Sequence, residues 1–144
     1  MLRLYDNKVR PIAISIIRKD NKILVYKRQN DFTNEKFYRL VGGCVEFSEE
    51  ASVALKREFM EELSVEIEDI KLLSTFESIF IFNNRQMHEI VFLYKSKFKN
   101  KNLYNQDEFI GVEGEVKFNA VWKPVSDFIS NKETLYPKEV IKFL

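Results

Sequence analysis

Apolar positions along this chain fall into short runs of strand length, and one longer stretch follows a helical period. Residues 11–18 (PIAISIIR) are mostly apolar and β-branched, Asp20-Asn21 is a turn signal, and residues 22–27 form a second run. Together they predict a β-hairpin. Residues 30–36 are polar and predict a loop. FYRLV, residues 37–41, predicts a short strand stopped by Gly42-Gly43, and CVEF, residues 44–47, alternates like another. Ser48 reads as a helix N-cap, with Glu49 and Glu50 in the first turn, where the helix dipole favours anions. No Gly or Pro interrupts the run to Leu63, which predicts the one long helix. Residues 65–70 are acidic but β-prone. Residues 71–82 and 88–98 predict two strands around an Asn83-Asn84 turn. Residues 99–115 predict an Asn-rich loop, residues 116–122 a last strand, and residues 124–130 and 137–144 two short helices that each begin with proline. Strands on both sides of one long helix predict an α/β domain with a mixed sheet covered by helices.

The long helix breaks its own amphipathic pattern. At about 100° per residue, Glu58, Glu61 and Glu62 share a stripe with Ala51, Ala54 and Leu55. An ordinary surface helix sets its acids opposite its small apolar residues. Carboxylates turned toward a protein interior are costly unless paired or bound to metal, and hard divalent cations take oxygen ligands. An acidic, solvated helix face would carry the same residues.

Composition narrows the classes. The chain has 144 residues with 45% hydrophobic content, enough for one domain spanning residues 1–144 that buries about two-thirds of its unfolded surface. Thirteen phenylalanines predict a Phe-rich core. A net charge of +1 gives no polybasic arm for nucleic acid. One cysteine, Cys44, forms no internal disulfide, and with His88 alone it does not make a zinc cage. The first ten residues, MLRLYDNKVR, are too polar for a signal peptide, and no apolar run approaches the roughly 18 residues of a membrane span. The expectation is a soluble cytoplasmic protein without nucleic-acid or membrane partners.

The run from Gly43 to Val65 resembles the Nudix box, G-x5-E-x7-R-E-U-x-E-E-x-G-U, where U is a bulky aliphatic or aromatic residue. Gly43, Glu49, Arg57-Glu58-Phe59, Glu61-Glu62 and Val65 match at the family's spacing. The final glycine is replaced by Ser64. That position follows the helix, where glycine serves as a left-handed cap, and serine takes the conformation at a cost of roughly 1 kcal/mol. No ligand position is lost. The LVGG approach and a Trp122-Lys123-Pro124 segment are also similar to Nudix hydrolases.

The resemblance implies the Nudix fold, a mixed β-sheet sandwiched between α-helices (α/β/α). It implies hydrolysis of a nucleoside diphosphate linked to another moiety, by attack of water at phosphorus with Mg2+ or Mn2+ bound. The substrate would be a nucleotide sugar such as ADP-ribose, a nucleoside triphosphate or a dinucleoside polyphosphate. Glu58, Glu61 and Glu62 would bind metal with the Gly43 carbonyl, and Arg57 would hold Glu49 as a brace. The general base is open between Glu58 and an acid of a later loop, Glu113 or Glu115. A homodimer is compatible with the resemblance, and so is a non-catalytic Nudix-fold binding domain. Outside the box, Arg10, Lys27, Arg28 and Arg39 are candidate phosphate contacts. Phe80, Phe82 and Trp122 are candidates for stacking a base, although core packing explains them equally. His88 and Glu77 are weaker candidates, and Cys44 reads as a buried thiol.

Overall fold

Strand β1 (Val9–Lys19) runs through the middle of the molecule and is buried on both sides from Ile12 to Ile17. That burial is why its sequence is a nearly continuous apolar run, interrupted by Ser15, rather than an alternating one. The computed structural model describes residues 7–144; residues 1–6, which hold most of the polar N-terminal stretch and the start of the expected domain, lie outside the described residues. After β1 come β2 (Lys22–Gln29), β3 (Lys36–Leu40), β4 (Gly42–Cys44), α1 (Ala51–Leu63), β5 (Ile67–Phe82), β6 (Arg85–Phe98), β7 (Glu108–Glu113), β8 (Val116–Pro124) and α2 (Val125–Ile129). Single 3-10 turns cover Lys101–Asn105 and Lys138–Phe143.

The strands form a mixed sheet in the order β5-β6-β1-β2-β8-β7, with β3 beside β2 and β4 beside β1. Among the strands of the described residues only β1 and β6 pair in parallel, from Val9–His88 to Ile17–Ser96. Toward β2, β1 is paired at Arg18–Ile23 and Lys19–Lys22. Nearer its start it pairs with β4 instead, at Ile12–Cys44 to Ile14–Gly42. The sheet therefore forks beyond the β1–β2 turn, with β4-β1-β6-β5 as one leaf and β3-β2-β8-β7 as the other.

Each face of the sheet has its own core. On one face Leu55, Phe59 and Leu63 of α1 pack with Ala13, Ile17, Leu24 and Phe98. On the other, Ile12, Ile14, Val25, Leu40 and Leu93 meet Phe128 of α2 and Val140 of the C-terminal turn. The expected layering holds, with α1 on one face and much shorter helical pieces on the other.

Several boundaries differ from expectation. Ser48 is not the N-cap: its φ is +66°, and the cap is Glu50, whose carbonyl accepts from Ala54 N–H at 2.9 Å. Glu49 and Glu50 thus precede the helix instead of filling its first turn. β3 ends at Leu40, just before the glycines as expected, but Gly42 and Gly43 then begin a further strand, β4, lying against β1. The expected loop at residues 99–115 contains β7, hairpin-paired with β8. In it a Cβ on Gly111 would lie 2.3 Å from the Phe118 ring, so the glycine leaves room for the aromatic. The short helix expected at residues 137–144 is a 3-10 helix over Lys138–Phe143. The Asn83-Asn84 turn is as expected, with both φ values positive. Ser64 takes the left-handed cap conformation, and its N–H donates to Met60 O at 3.0 Å.

Candidate active site

Arg57 sits in the middle of α1 and organises everything around it. Its Nε and Nη2 donate to the two carboxylate oxygens of Glu49 at 2.7 and 2.9 Å, a bidentate pair. Nη2 also reaches the Cys44 carbonyl at 2.9 Å, while Nη1 donates to Glu58 at 3.0 Å and to Glu61 at 3.1 Å. The left-handed Ser48 turns the chain so that Glu49, eight residues before Arg57, comes back over the helix. Glu49 also accepts from the Glu46 N–H at 3.0 Å. One guanidinium thereby ties the β4 strand and the following loop to α1. The hydrogen bonds from Arg57, helped by the Glu46 amide, hold the Glu49 carboxyl down at about 2.

The three helix carboxylates have different surroundings. Glu61 lies at the exposed rim, not on the inward stripe the helical wheel gives it. Glu58 is half-buried against Gly43. A Cβ on Gly43 would lie 2.4 Å from the Glu58 carboxyl carbon, so any larger residue would push this carboxylate from its place. Burial raises the Glu58 pKa against the opposing pull of Arg57. Glu62 is 8% exposed. Burial first, then the charges of Glu58 and Glu113, push its carboxyl up to about 9.

This donor set fits a hard divalent cation. Glu62 is a buried acid next to other acids, with Arg57 as the one cation pulling against them, and it would be stabilised in its charged form by an ion in the cleft. Among the described residues no three His, Cys, Asp or Glu side chains already stand close enough to hold an ion. Arg57 Nη1 engages Glu58 and Glu61, and Glu61 would have to turn from it to reach the ion.

Glu113, at the end of β7, is the later acid whose charge acts on Glu58 and Glu62. Glu115 occupies the exposed β7–β8 turn, and its charge is not among those acting on Glu58 or Glu62. His88 and Glu77 pair with each other at 3.0 Å on the exposed β5–β6 hairpin. Trp122 belongs to an aromatic cluster with Phe98, Tyr104 and Phe109, and its Nε1 donates to the Gln106 carbonyl at 2.8 Å. Phe82 takes the Arg28 guanidinium over its ring at 5.0 Å, and Phe80 is half-buried on the same strand. Cys44 is half-exposed rather than buried.

Glu89 escaped the sequence pattern. It is fully buried on β6 and takes Arg10 Nη2 at 2.5 Å on one oxygen and Arg39 Nη2 at 3.2 Å on the other. A signal was present: Met87, Glu89, Val91 and Leu93 alternate onto one buried face, and an acid in such a series needs a partner.

The family model for the NUDIX domain matches residues 7–142. No curated protein matches the chain. Among solved structures, the chain is similar to a MutT NUDIX hydrolase from Burkholderia pseudomallei, at 24% identity and TM-score 0.59, over 85% of this chain and 88% of that one. It is also similar to a mutator MutT protein from Bacillus halodurans, at 15% identity and TM-score 0.65, over 92% and 80%. A third is a NUDIX-family hydrolase from Clostridium perfringens, at 15% identity and TM-score 0.62, over 93% and 92%. At these identities the structural matches speak for the fold.

Proposed function

The chain belongs to the Nudix family, hydrolases of phosphorus-containing anhydrides, and from that premise we propose that it is a divalent-metal-dependent pyrophosphohydrolase. Its substrate would be a nucleoside diphosphate linked to another moiety: a nucleotide sugar such as ADP-ribose, a nucleoside triphosphate or a dinucleoside polyphosphate. The observation that carries this reading is Glu62, a buried carboxyl beside Glu58 and Glu113 whose charged form lacks a sufficient counter-charge.

Glu58, Glu61 and Glu62 would hold Mg2+ or Mn2+, with the Gly43 carbonyl beside them. The ion would neutralise the diphosphate and lower the pKa of a bound water. Arg57 and Glu49 fix the corner between β4 and α1, so that Glu58 stays against Gly43 while the cleft changes charge. For the general base, Glu58 is half-buried and its burial raises its pKa, which favours proton uptake. Glu113 is the alternative, because it faces the same carboxylates. Glu115, at the exposed turn, is the less supported choice.

Among the described residues no helix is long and apolar enough to cross a membrane. We read residues 1–144 as one domain, working on small molecules in the cytoplasm.

The test is incubation with a panel of nucleoside diphosphate derivatives, with and without Mg2+, for wild type and Glu62→Gln. Metal-dependent turnover by wild type, reduced at least about 100-fold in the variant, is expected. Metal binding without turnover of any substrate would replace the enzyme reading with a binding domain. No metal binding would return the helix to a solvated acidic face.

A further inference from the structure

The sheet ends in two edge strands, β5 and β7, and they are guarded unequally. Among the described residues each lies beside one neighbour in the sheet, β5 beside β6 and β7 beside β8. An open edge is a row of N–H and C=O groups ready to pair, and bulges, charges, prolines and shortness keep it from doing so. β7 is six residues long with a glutamate at each end. The first part of β5 is protected as well. Its register to β6 shifts between Glu68 and Lys71 and again between Leu72 and Ser74, and Glu68, Asp69 and Lys71 place charges there. From Ser74 to Phe82 these devices stop. The register runs unbroken to the Phe82–Arg85 pair, and STFESIFIF holds no proline, no glycine and a single charge, Glu77. Such a segment is a template for another strand.

The turn decides which groups the edge offers. Asn83 and Asn84, both at positive φ, make a two-residue turn, so Phe82 and Arg85 close the hairpin as a hydrogen-bonded pair. By alternation Phe80, Ser78 and Phe76 turn their backbone groups to β6, while Ile81, Ile79, Glu77 and Thr75 turn theirs to the open side. The same four residues have exposed side chains, with Ile79 at 63% and Ile81 at 66%. Glu77 is already held by His88 at 3.0 Å, so the edge has little to attract a strongly charged partner. On the opposite face Phe82 meets Phe37 at 5.8 Å and lies under Arg28 at 5.0 Å, which keeps the end of the strand in place.

The strand fits a second copy of itself. Two copies of an edge strand can pair antiparallel about a two-fold axis. With the axis at Ile79, each Ile79 meets its counterpart and Glu77 lies opposite Ile81 of the second copy. On the other face Phe80 lies opposite Ser78, a large side chain against a small one, and Phe76 lies opposite Phe82. The two Glu77 carboxylates then stand four residues apart along the ladder, about 14 Å, which exceeds a Debye length of about 10 Å. An axis at Glu77 would instead set two like charges face to face.

We propose that residues 74–82 of β5 are a homodimer surface, two copies joining edge to edge about Ile79 into one continuous sheet. Nine residues span roughly 30 Å, a footprint at the small end of specific interfaces. The dimer is reversible, and the single chain keeps its fold. This lies beyond the pyrophosphohydrolase reading and holds whether or not the chain hydrolyses anything.

Sedimentation equilibrium of the full chain, from about 5 µM to about 500 µM, tests it. Wild type passes from monomer to dimer over that range. Ile79→Lys and Ile79→Glu each oppose two like charges at the axis and weaken association at least about tenfold. Mixed in equal amounts, the two variants recover the dimer, because lysine then faces glutamate. Ile110→Lys, on the β7 edge, leaves association unchanged. Ile79 is exposed, so both variants should melt near the wild-type temperature. Amide hydrogen exchange of wild type supplies a readout without substitution: Thr75, Glu77, Ile79 and Ile81 gain protection as concentration rises. A wild type that stays monomeric throughout overturns the proposal. So does a dimer that neither Ile79 variant weakens, a mixture of the two that stays apart, or protection that does not change with concentration.

Discussion

The ion networks around Arg57 and Glu89 are built in opposite ways. Around Arg57, one cation collects Glu49, Glu58 and Glu61, all within eight residues of it. Around Glu89, one anion collects Arg10 and Arg39, at separations of 79 and 50 residues. The first is local and partly solvated, and it is set by a turn and a helix. The second is buried and long-range, and it exists only once β1, β3 and β6 have come together. A local network can be adjusted by rotating side chains, whereas the buried one is committed when the sheet forms.

The sharpest way to break the contrast is to remove each hub. Glu89→Gln removes the buried carboxylate that Arg10 and Arg39 share and should destabilise the fold by about 3–5 kcal/mol, read from the midpoint of urea unfolding. A loss no larger than that of an exposed pair, such as Glu66→Gln beside Lys99, would remove the distinction between the networks. Next in size, Arg57→Lys should keep the fold but lose the bidentate grip on Glu49. We expect metal-dependent activity to fall about 10- to 100-fold, with the loss showing as weaker Mg2+ binding in a direct titration.

The smallest effect is one of pH, and it sets two carboxylates of the Arg57 side against each other. Glu49, held down at about 2, contributes stability above the ordinary carboxylate range that is lost as pH falls from about 4.5 toward 2. Glu62, pushed up to about 9, binds its proton more tightly folded than unfolded. Metal-free protein should therefore lose stability as pH rises from about 4.5 to about 9. Melting temperatures with chelator present should slope downward over that upper range, and Mg2+ should flatten the slope. A chelated protein whose melting temperature rises with pH there would contradict the assignment of Glu62 as a buried, poorly compensated acid.

The same contrast explains what the sequence disclosed. The Glu49–Arg57 contact lies within one short segment, so the motif's fixed spacing announces it, and the left-handed Ser48 just before Glu49 was misread as a cap. The mixed sheet and the long helix were legible because β1 is a β-branched apolar run and no Gly or Pro interrupts the run to Leu63. β7 was not, because EFIGVEG has glycines and acids at loop frequency, and its Gly111 makes sense only with Phe118 of β8 against it. Nothing in the linear order pairs Arg39 with Glu89 rather than with any other acid. That choice belongs to the parallel β1–β6 register and to β3 crossing the fork. That the charge of Glu113 rather than Glu115 acts on Glu58 and Glu62 depends on where β7 ends and the turn begins, which no motif supplies.

The close fit of Glu58 over Gly43 bears on how such a protein could fall silent during divergence. A single alanine at position 43 would displace the carboxylate that the glycine accommodates, while leaving every charged residue in place. A descendant carrying that one change would still present a full set of acids to any comparison based on charge. Its loss of activity would be hidden in a methyl group.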